Sequence, residues 1–192
     1  MLEGEHAELL NAAVATDGRG FAAMLAGRGD EGRRWMAEAA ALYLASWEAA
    51  PPRSYGRLVA YLKSAVLSGD AADAAGYVEA QLAGACDSPT SCYALALAAL
   101  LRGDDATAAD AAARMGGGGD AFARAGEALG ALATRDTRRY AGAVAAIIAD
   151  FESRDAHLTG VPIADTALLM EALAEPRGLA VHPESELVPG SA

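Results

Sequence analysis

Lysine is almost missing from this chain. Fourteen of its fifteen basic residues are arginine, and Lys63 stands alone among 26 acids and a formal net charge of −11. With a pI near 4.6, the sequence has no clustered cations of the kind that phosphodiester backbones and anionic lipid surfaces require. Neither nucleic acid nor a membrane is expected as a partner. Valine and isoleucine together number only eleven, which excludes a parallel sheet or an all-β fold. No apolar run approaches the roughly 18–20 residues that cross a bilayer. The opening Met1-Leu2-Glu3-Gly4-Glu5 lacks the basic stretch of a signal peptide, so a cytoplasmic setting is expected. The two cysteines, Cys86 and Cys92, are too few for a disulfide scaffold. They flank Ser88-Pro89-Thr90, and a bridge between helix ends is geometrically allowed, although a cytosolic chain would keep both thiols reduced. Without nearby histidines they make no zinc site.

Alanine and leucine fill the space these absences leave. The chain carries 51 alanines and 22 leucines in 192 residues, and both are strong helix formers. Apolar residues make up 53%, too many for intrinsic disorder. An all-α protein follows. Arginine, alanine and glycine share GC-rich codons, which points to a high-GC bacterial genome. The surplus of acid either steers a basic protein partner or keeps an alanine-rich surface soluble.

Part of the chain repeats. Ala65-Val66-Leu67-Ser68-Gly69-Asp70-Ala71-Ala72-Asp73-Ala74 is echoed by Ala99 to Ala108, with Gly103-Asp104 lying 34 residues after Gly69-Asp70. A looser copy follows at Ala131 to Tyr140, where Arg135-Asp136 falls 32 residues further on. Gly69 and Gly103 suit the left-handed position that ends a helix. Asp70, Asp104 and Asp136 can then cap the next helix. Each unit is therefore an αα-hairpin with a very short turn. This spacing resembles that of tetratricopeptide repeats. In that pattern a small residue follows the turn aspartate by four positions, where Ala74, Ala108 and Tyr140 stand; the tyrosine departs from it, and the family's tryptophan and closing proline are absent. The resemblance covers roughly residues 54–155 and implies a degenerate αα-hairpin array.

Other helices flank the array. Residues 3–15 form one, residues 20–26 a second, and residues 31–49 a stronger third that stops before Pro51-Pro52. The third carries Trp35, Met36, Ala39, Leu42, Tyr43 and Trp47 at near 3–4 spacing, with both tryptophans read as core anchors or as an exposed pair for a partner. Gly116–Gly119 is a breaker, since it lacks the Lys-Ser/Thr and the preceding strand of a phosphate loop.

The polar segment Asp150-Phe151-Glu152-Ser153-Arg154-Asp155-Ala156-His157 is the one place where chemistry could concentrate. On a helix Asp150 meets Arg154 and Ser153 meets His157. An ion pair plus a histidine at the helix C-terminus is the structural reading; metal ligation or acid–base work by Asp150, Glu152, Asp155 and His157 is the alternative. With three scattered histidines, no cofactor, metal or catalytic role is expected. Asp165 opens the last helix after Pro162, as dipole compensation or as a buried contact to Arg154 or Arg177.

The ending Leu168–Val181, with Ser185 and Leu187-Val188-Pro189, resembles the C-terminal pattern of the immunity protein 49 family, and Tyr140–His157 resembles the hairpin before it. The resemblance covers about residues 125–189 and implies a cytoplasmic all-helical bacterial antitoxin that blocks a toxin domain. Helical proteins of high-GC bacteria without a known role match equally well. No site residue carries over from either.

The sequence thus predicts one all-α domain over residues 1–192, with eight or nine helices. N-terminal helices occupy 1–50, repeat hairpins 54–155, a capping helix 161–177 and an extended tail 178–192. Repeat arrays bury one face and present a concave groove to peptides or proteins. The expected function is non-catalytic binding of a basic protein or peptide, with Asp73, Glu79, Asp105, Asp110, Glu152 and Asp155 as contacts. A homodimer joined through the Trp35/Trp47 face is a further alternative.

Overall fold

The computed structural model describes residues 4–190, and among them it places nine α-helices and no strand. The fold is all-α. Helix α1 spans Glu5–Leu25 and α2 spans Gly29–Glu48. The expected break into two short N-terminal helices does not occur. Gly18 and Gly20 lie buried inside continuous α1, and they serve close approach instead of a turn. A Cβ on Gly20 would run into the Met36 side chain, and one on Gly32 of α2 into Met24. Each interior glycine costs about 1 kcal/mol of helix propensity, which the resulting contact between the two helices offsets. Helix α2 buries Met36, Ala39 and Tyr43 as its spacing predicts, but Trp35, Leu42 and Trp47 stay only half-buried. The tryptophans part company: Trp35 sits beside Arg19 and Glu31, whereas Trp47 stacks on Tyr55.

The hairpins follow the spacing. They comprise α3 (Gly56–Ser68) with α4 (Ala72–Leu82), α5 (Pro89–Arg102) with α6 (Asp105–Ala113), and α7 (Asp120–Thr134) with α8 (Thr137–Glu152). A 3-10 turn over Arg114–Gly118 separates the last two pairs. Gly69 and Gly103 are left-handed at φ 91° and 78°, and Arg135 takes the same conformation at φ 56°. Asp104 and Asp136 accept from the backbone N–H of Thr107 and Arg139, each at 3.0 Å. Asp70 does not cap. Helix α4 begins one residue later, at Ala72, with Ala71 in the N-cap position and no side-chain cap. Ala74, Ala108 and Tyr140 are all buried; the tyrosine fits because its hydroxyl reaches Glu171 at 2.6 Å.

Helices α3, α5 and α7 pack on one another, and each also meets a neighbour in the chain. Helix α9, Asp165–Ala174, packs against α3, α7 and α8 and buries six of its ten residues. It is an interior helix, shorter than the expected cap over 161–177, and it starts three residues after Pro162. A 3-10 turn over Glu175–Arg177 ends on left-handed Gly178. The following segment folds back on the core: Leu179 and Val188 are buried, and the Ala164 N–H donates to the Leu187 carbonyl at 2.9 Å. Among the described residues no helix is long and apolar enough to cross a membrane.

Cys86 and Cys92 are bonded to each other, against the expectation of reduced thiols. The bridge ties the loop before α5 to that helix's first turn, where Ser88 caps and Arg114 donates to the Cys86 carbonyl at 2.5 Å. Such a bond persists in an oxidising compartment and opens in a thiol-rich one. Its closed loop is short, and loop-closure entropy assigns it about 2.5 kcal/mol. Reduction should lower the urea unfolding free energy by about that amount. An unchanged midpoint in excess dithiothreitol would show that the bridge contributes no stability.

Candidate functional site

One charged cluster lies inside the molecule. The Asp17 carboxylate on α1 accepts from the Tyr43 hydroxyl of α2 at 2.8 Å and from the Ser64 hydroxyl of α3 at 2.9 Å. Beside it, Lys63 Nζ donates to Asp165 Oδ2 of α9 at 2.5 Å. Burial pushes the Asp17 carboxyl above its ordinary range, against the pull of Lys63 and the two hydroxyls. Burial and the neighbouring Asp17 push the Tyr43 hydroxyl up as well. The groups satisfy one another across four helices, so the cluster acts as an internal strut. Asp165 therefore has a partner that the sequence did not suggest: Lys63, and neither Arg154 nor Arg177.

The six acids expected as contacts are spread over α4 (Asp73, Glu79), α6 (Asp105, Asp110), the end of α8 (Glu152) and the segment beyond it (Asp155). Glu79 on α4 pairs with Arg102 at 2.9 Å. Asp105 opens α6 and is held by Arg177 at 2.7 Å, with Arg135 at 3.9 Å. Asp110 lies 3.9 Å from Arg114. Glu152 accepts from the Ser185 hydroxyl at 2.8 Å. Asp73 and Asp155 are exposed, without an ion-pair partner among the described residues.

The segment 150–157 keeps only half of its expected geometry. Arg154 does bond Asp150 at 2.5 Å, and Arg124 reaches the same carboxylate at 2.5 Å. Helix α8 ends at Glu152, however, so Asp155 and His157 lie beyond it and no helical Ser153–His157 pairing forms. The His157 ring stacks on Phe151 with centroids 6.0 Å apart, at an open cavity of about 400 Å³ that Arg154, Pro162, Ser185 and Leu187 also line. Among the described residues, no three potential ligands gather around a common point for a metal.

A different face collects both aromatic rings and acids. Trp47 and Glu48 end α2, Tyr55 stands before α3, Tyr61 lies on α3, and Asp70, Asp73 and Tyr77 follow on the turn and on α4. Trp47 stacks on Tyr55 at 6.0 Å between centroids, and Tyr61 meets Tyr77 edge-on at 6.1 Å. The Tyr77 hydroxyl donates to Glu48 Oε1 at 3.3 Å. All four rings are half-buried and pack against the margin of the main core. Burial pushes the Tyr61 hydroxyl above its ordinary range, and Asp73, Asp70 and Glu48 push it further. Burial and Glu48 do the same to Tyr77. Among the described residues no cation lies within 4.0 Å of Glu48, Asp70 or Asp73. Of this group Asp73 is expected from sequence as a contact, and Trp47 as one half of a possible exposed pair with Trp35. A usable signal was present: Tyr61 and Tyr77 stand eight residues either side of Gly69, so a hairpin turning there sets them opposite each other.

Comparison of the chain with protein-family models, curated proteins and solved structures finds no match to any of them.

Proposed function

We propose that this chain is a non-catalytic protein-binding module that takes a basic segment of its partner on the face formed by Trp47, Glu48, Tyr55, Tyr61, Asp70, Asp73 and Tyr77. The observation that carries this reading is three carboxylates lacking a cation partner around four partly exposed rings. An arginine or lysine placed there gains a carboxylate and a ring face together, and each cation–π contact contributes about 0.5–2 kcal/mol. The contact surface thus moves from six scattered acids to one face that retains Asp73. The partner does not lie along the α3–α5–α7 layer, because α9 already covers α3 and α7. Short turns built on a left-handed residue, with capping aspartates in two of three, support a tetratricopeptide-like reading of residues 54–155. An immunity-type role against a basic toxin domain is the form that the C-terminal resemblance implies.

The test is titration with an arginine-rich peptide, following Trp47 fluorescence in a Trp35→Phe background. Binding should weaken about tenfold between 50 and 300 mM salt and about as much in an Asp70→Asn, Asp73→Asn double variant. Binding indifferent to both changes, or no binding, would remove this reading.

A further inference from the structure

Helix α2 keeps one face outside the fold. It packs against α1 and α3, with Met36, Ala39 and Tyr43 buried on the inner side. The outer side carries Arg34, Ala37, Ala41, Leu44, Ala45 and Glu48, which the 3–4 spacing gathers into one stripe. Arg34, Ala37, Ala41 and Glu48 are exposed, and Leu44 and Ala45 are half-buried. Leu44 belongs to none of the three hydrophobic clusters formed by the described residues, so the fold gives this leucine no core to join. The charges at the two ends of the stripe are unspent within the chain. Among the described residues no carboxylate lies within 4.0 Å of Arg34 and no cation within 4.0 Å of Glu48. The Glu31 carboxylate, which feels Arg34 at longer range, is held by Arg28 at 2.7 Å.

The order of residues along the stripe is self-complementary. Arg34 lies seven residues before Ala41 and Glu48 seven after it, while Ala37 and Ala45 stand four to either side. A second copy of α2 laid antiparallel over Ala41 therefore sets Arg34 of each chain against Glu48 of the other, and Ala37 against Ala45. This is the reciprocal pattern of a twofold interface, in which residue i meets j and j meets i. The three alanines let two helix axes approach closely. Glu38 and Leu44 lie three residues to either side of Ala41, so Leu44 meets the methylene stem of the partner's Glu38, with that carboxylate at the rim. We propose that this face joins two copies of the chain as an antiparallel α2–α2 homodimer, closed by two Arg34–Glu48 pairs around a central contact of Ala41 with Ala41. A single helix face makes a small interface, below about 1,200 Å², and dissociation is expected at about 10–100 µM. The contact shares only Glu48 with the peptide-binding face and does not rest on that reading; Asp70 and Asp73 stay open to a basic segment.

The experiment is sedimentation of the full chain from about 1 µM to 1 mM, and a reversible monomer–dimer equilibrium is expected. Ala41→Glu puts two like charges at the twofold centre and should leave a monomer at every concentration, with its circular dichroism unchanged. Arg34→Glu and Glu48→Arg should each weaken the dimer about tenfold or more. An equimolar mixture of these two variants should associate as tightly as the parent, because the mixed dimer restores both ion pairs. The double variant Asp70→Asn, Asp73→Asn should leave association within twofold, which separates this contact from the peptide-binding face. A parent chain that stays monomeric at the highest concentration overturns the inference, and so does a dimer that survives Ala41→Glu. Failure of the mixture to restore association overturns it as well.

Discussion

Replacing Lys63 by methionine should destabilise the protein by about 3–5 kcal/mol, the cost of leaving buried charge without its partner. The Lys63 and Asp165 side chains are each only 18% exposed. Asp17, further in at 1%, feels the same ammonium. Methionine keeps an apolar stem of similar length and removes the ammonium, whose nitrogen lies 5.9 Å from the Phe21 ring centroid, so the variant isolates the charge. Urea unfolding at neutral pH measures the loss, and a change below about 1 kcal/mol would show that the strut has no weight. The double variant Lys63→Met, Asp165→Asn should recover part of the loss, because it no longer leaves Asp165 as an unpaired carboxylate.

The pH dependence has a sign that distinguishes this strut from generic packing. Burial pushes the Asp165 carboxyl up, but Lys63 and Thr166 outweigh burial and hold it below 3.8. Its contribution is present above pH 3.8 and lost as pH falls through the lower folded value. For Lys63, burial lowers the ammonium, yet Asp165 and Asp17 outweigh burial and raise it from 10.5. That contribution is complete below pH 10.5 and lost as pH rises through the higher folded value. The pair is therefore constant from about pH 5 to 9. Asp17 works the other way, since its raised folded value makes ionisation above pH 3.8 a cost. In Lys63→Met both carboxylates lose their cation, so stability should rise as pH is lowered from 7 toward 5. A variant whose stability rises no more than the parent's over that interval would contradict the assignment.

Glu171→Ala should have the second largest effect, about 3 kcal/mol, because hydrogen bonds to a buried charged group contribute about 1.5–3 kcal/mol each and are not additive. The Glu171 carboxylate is 8% exposed. It accepts from the Tyr140 hydroxyl at 2.6 Å, the Val181 N–H at 3.0 Å and the His182 N–H at 2.7 Å. Burial and the bond to Glu171 push the Tyr140 hydroxyl far up, so it remains a donor at any ordinary pH. The variant leaves three donors unpaired and frees residues 179–190 from α9. Hydrogen exchange should then show rapid exchange of the Val181 and His182 amides, while Tyr140→Phe should leave both protected. Continued protection in Glu171→Ala would mean that the buried Leu179 and Val188 hold the segment without it.

Local rules explain where reading the sequence succeeded. The turns at 69, 103 and 135 and the caps at 104 and 136 depend on residues within four positions of one another. They were legible at the repeat spacing, down to the arginine that replaces the third glycine. Asp70 failed as a cap because α4 starts a residue later, a shift that composition cannot reveal. The gap expected between helices over 3–15 and 20–26 is helical because a glycine signals either a turn or a close approach, and only Thr159 against Gly18 and Met36 against Gly20 show which applies here. Within the candidate face Asp73 and Trp47 are expected from sequence and the three tyrosines are not. A half-buried tyrosine follows the same periodicity as a buried one.

By itself, the sequence determined that this protein is helical and where its hairpins turn. Alanine's propensity, the scarcity of β-branched residues and the left-handed turn positions all act through the adjacent backbone. Tertiary structure alone decided the rest: α9 in the interior, Lys63 on Asp165 across 102 residues, Ser64 on Asp17 across 47, and a disulfide where thiols were expected. It also decided which acids remain free for a partner. Several arginine pairs are exposed helix neighbours three or four residues apart, but burial decides the long-range pairings Lys63–Asp165 and Arg177–Asp105, because a charge leaving water takes whichever opposite charge the packed helices bring within reach.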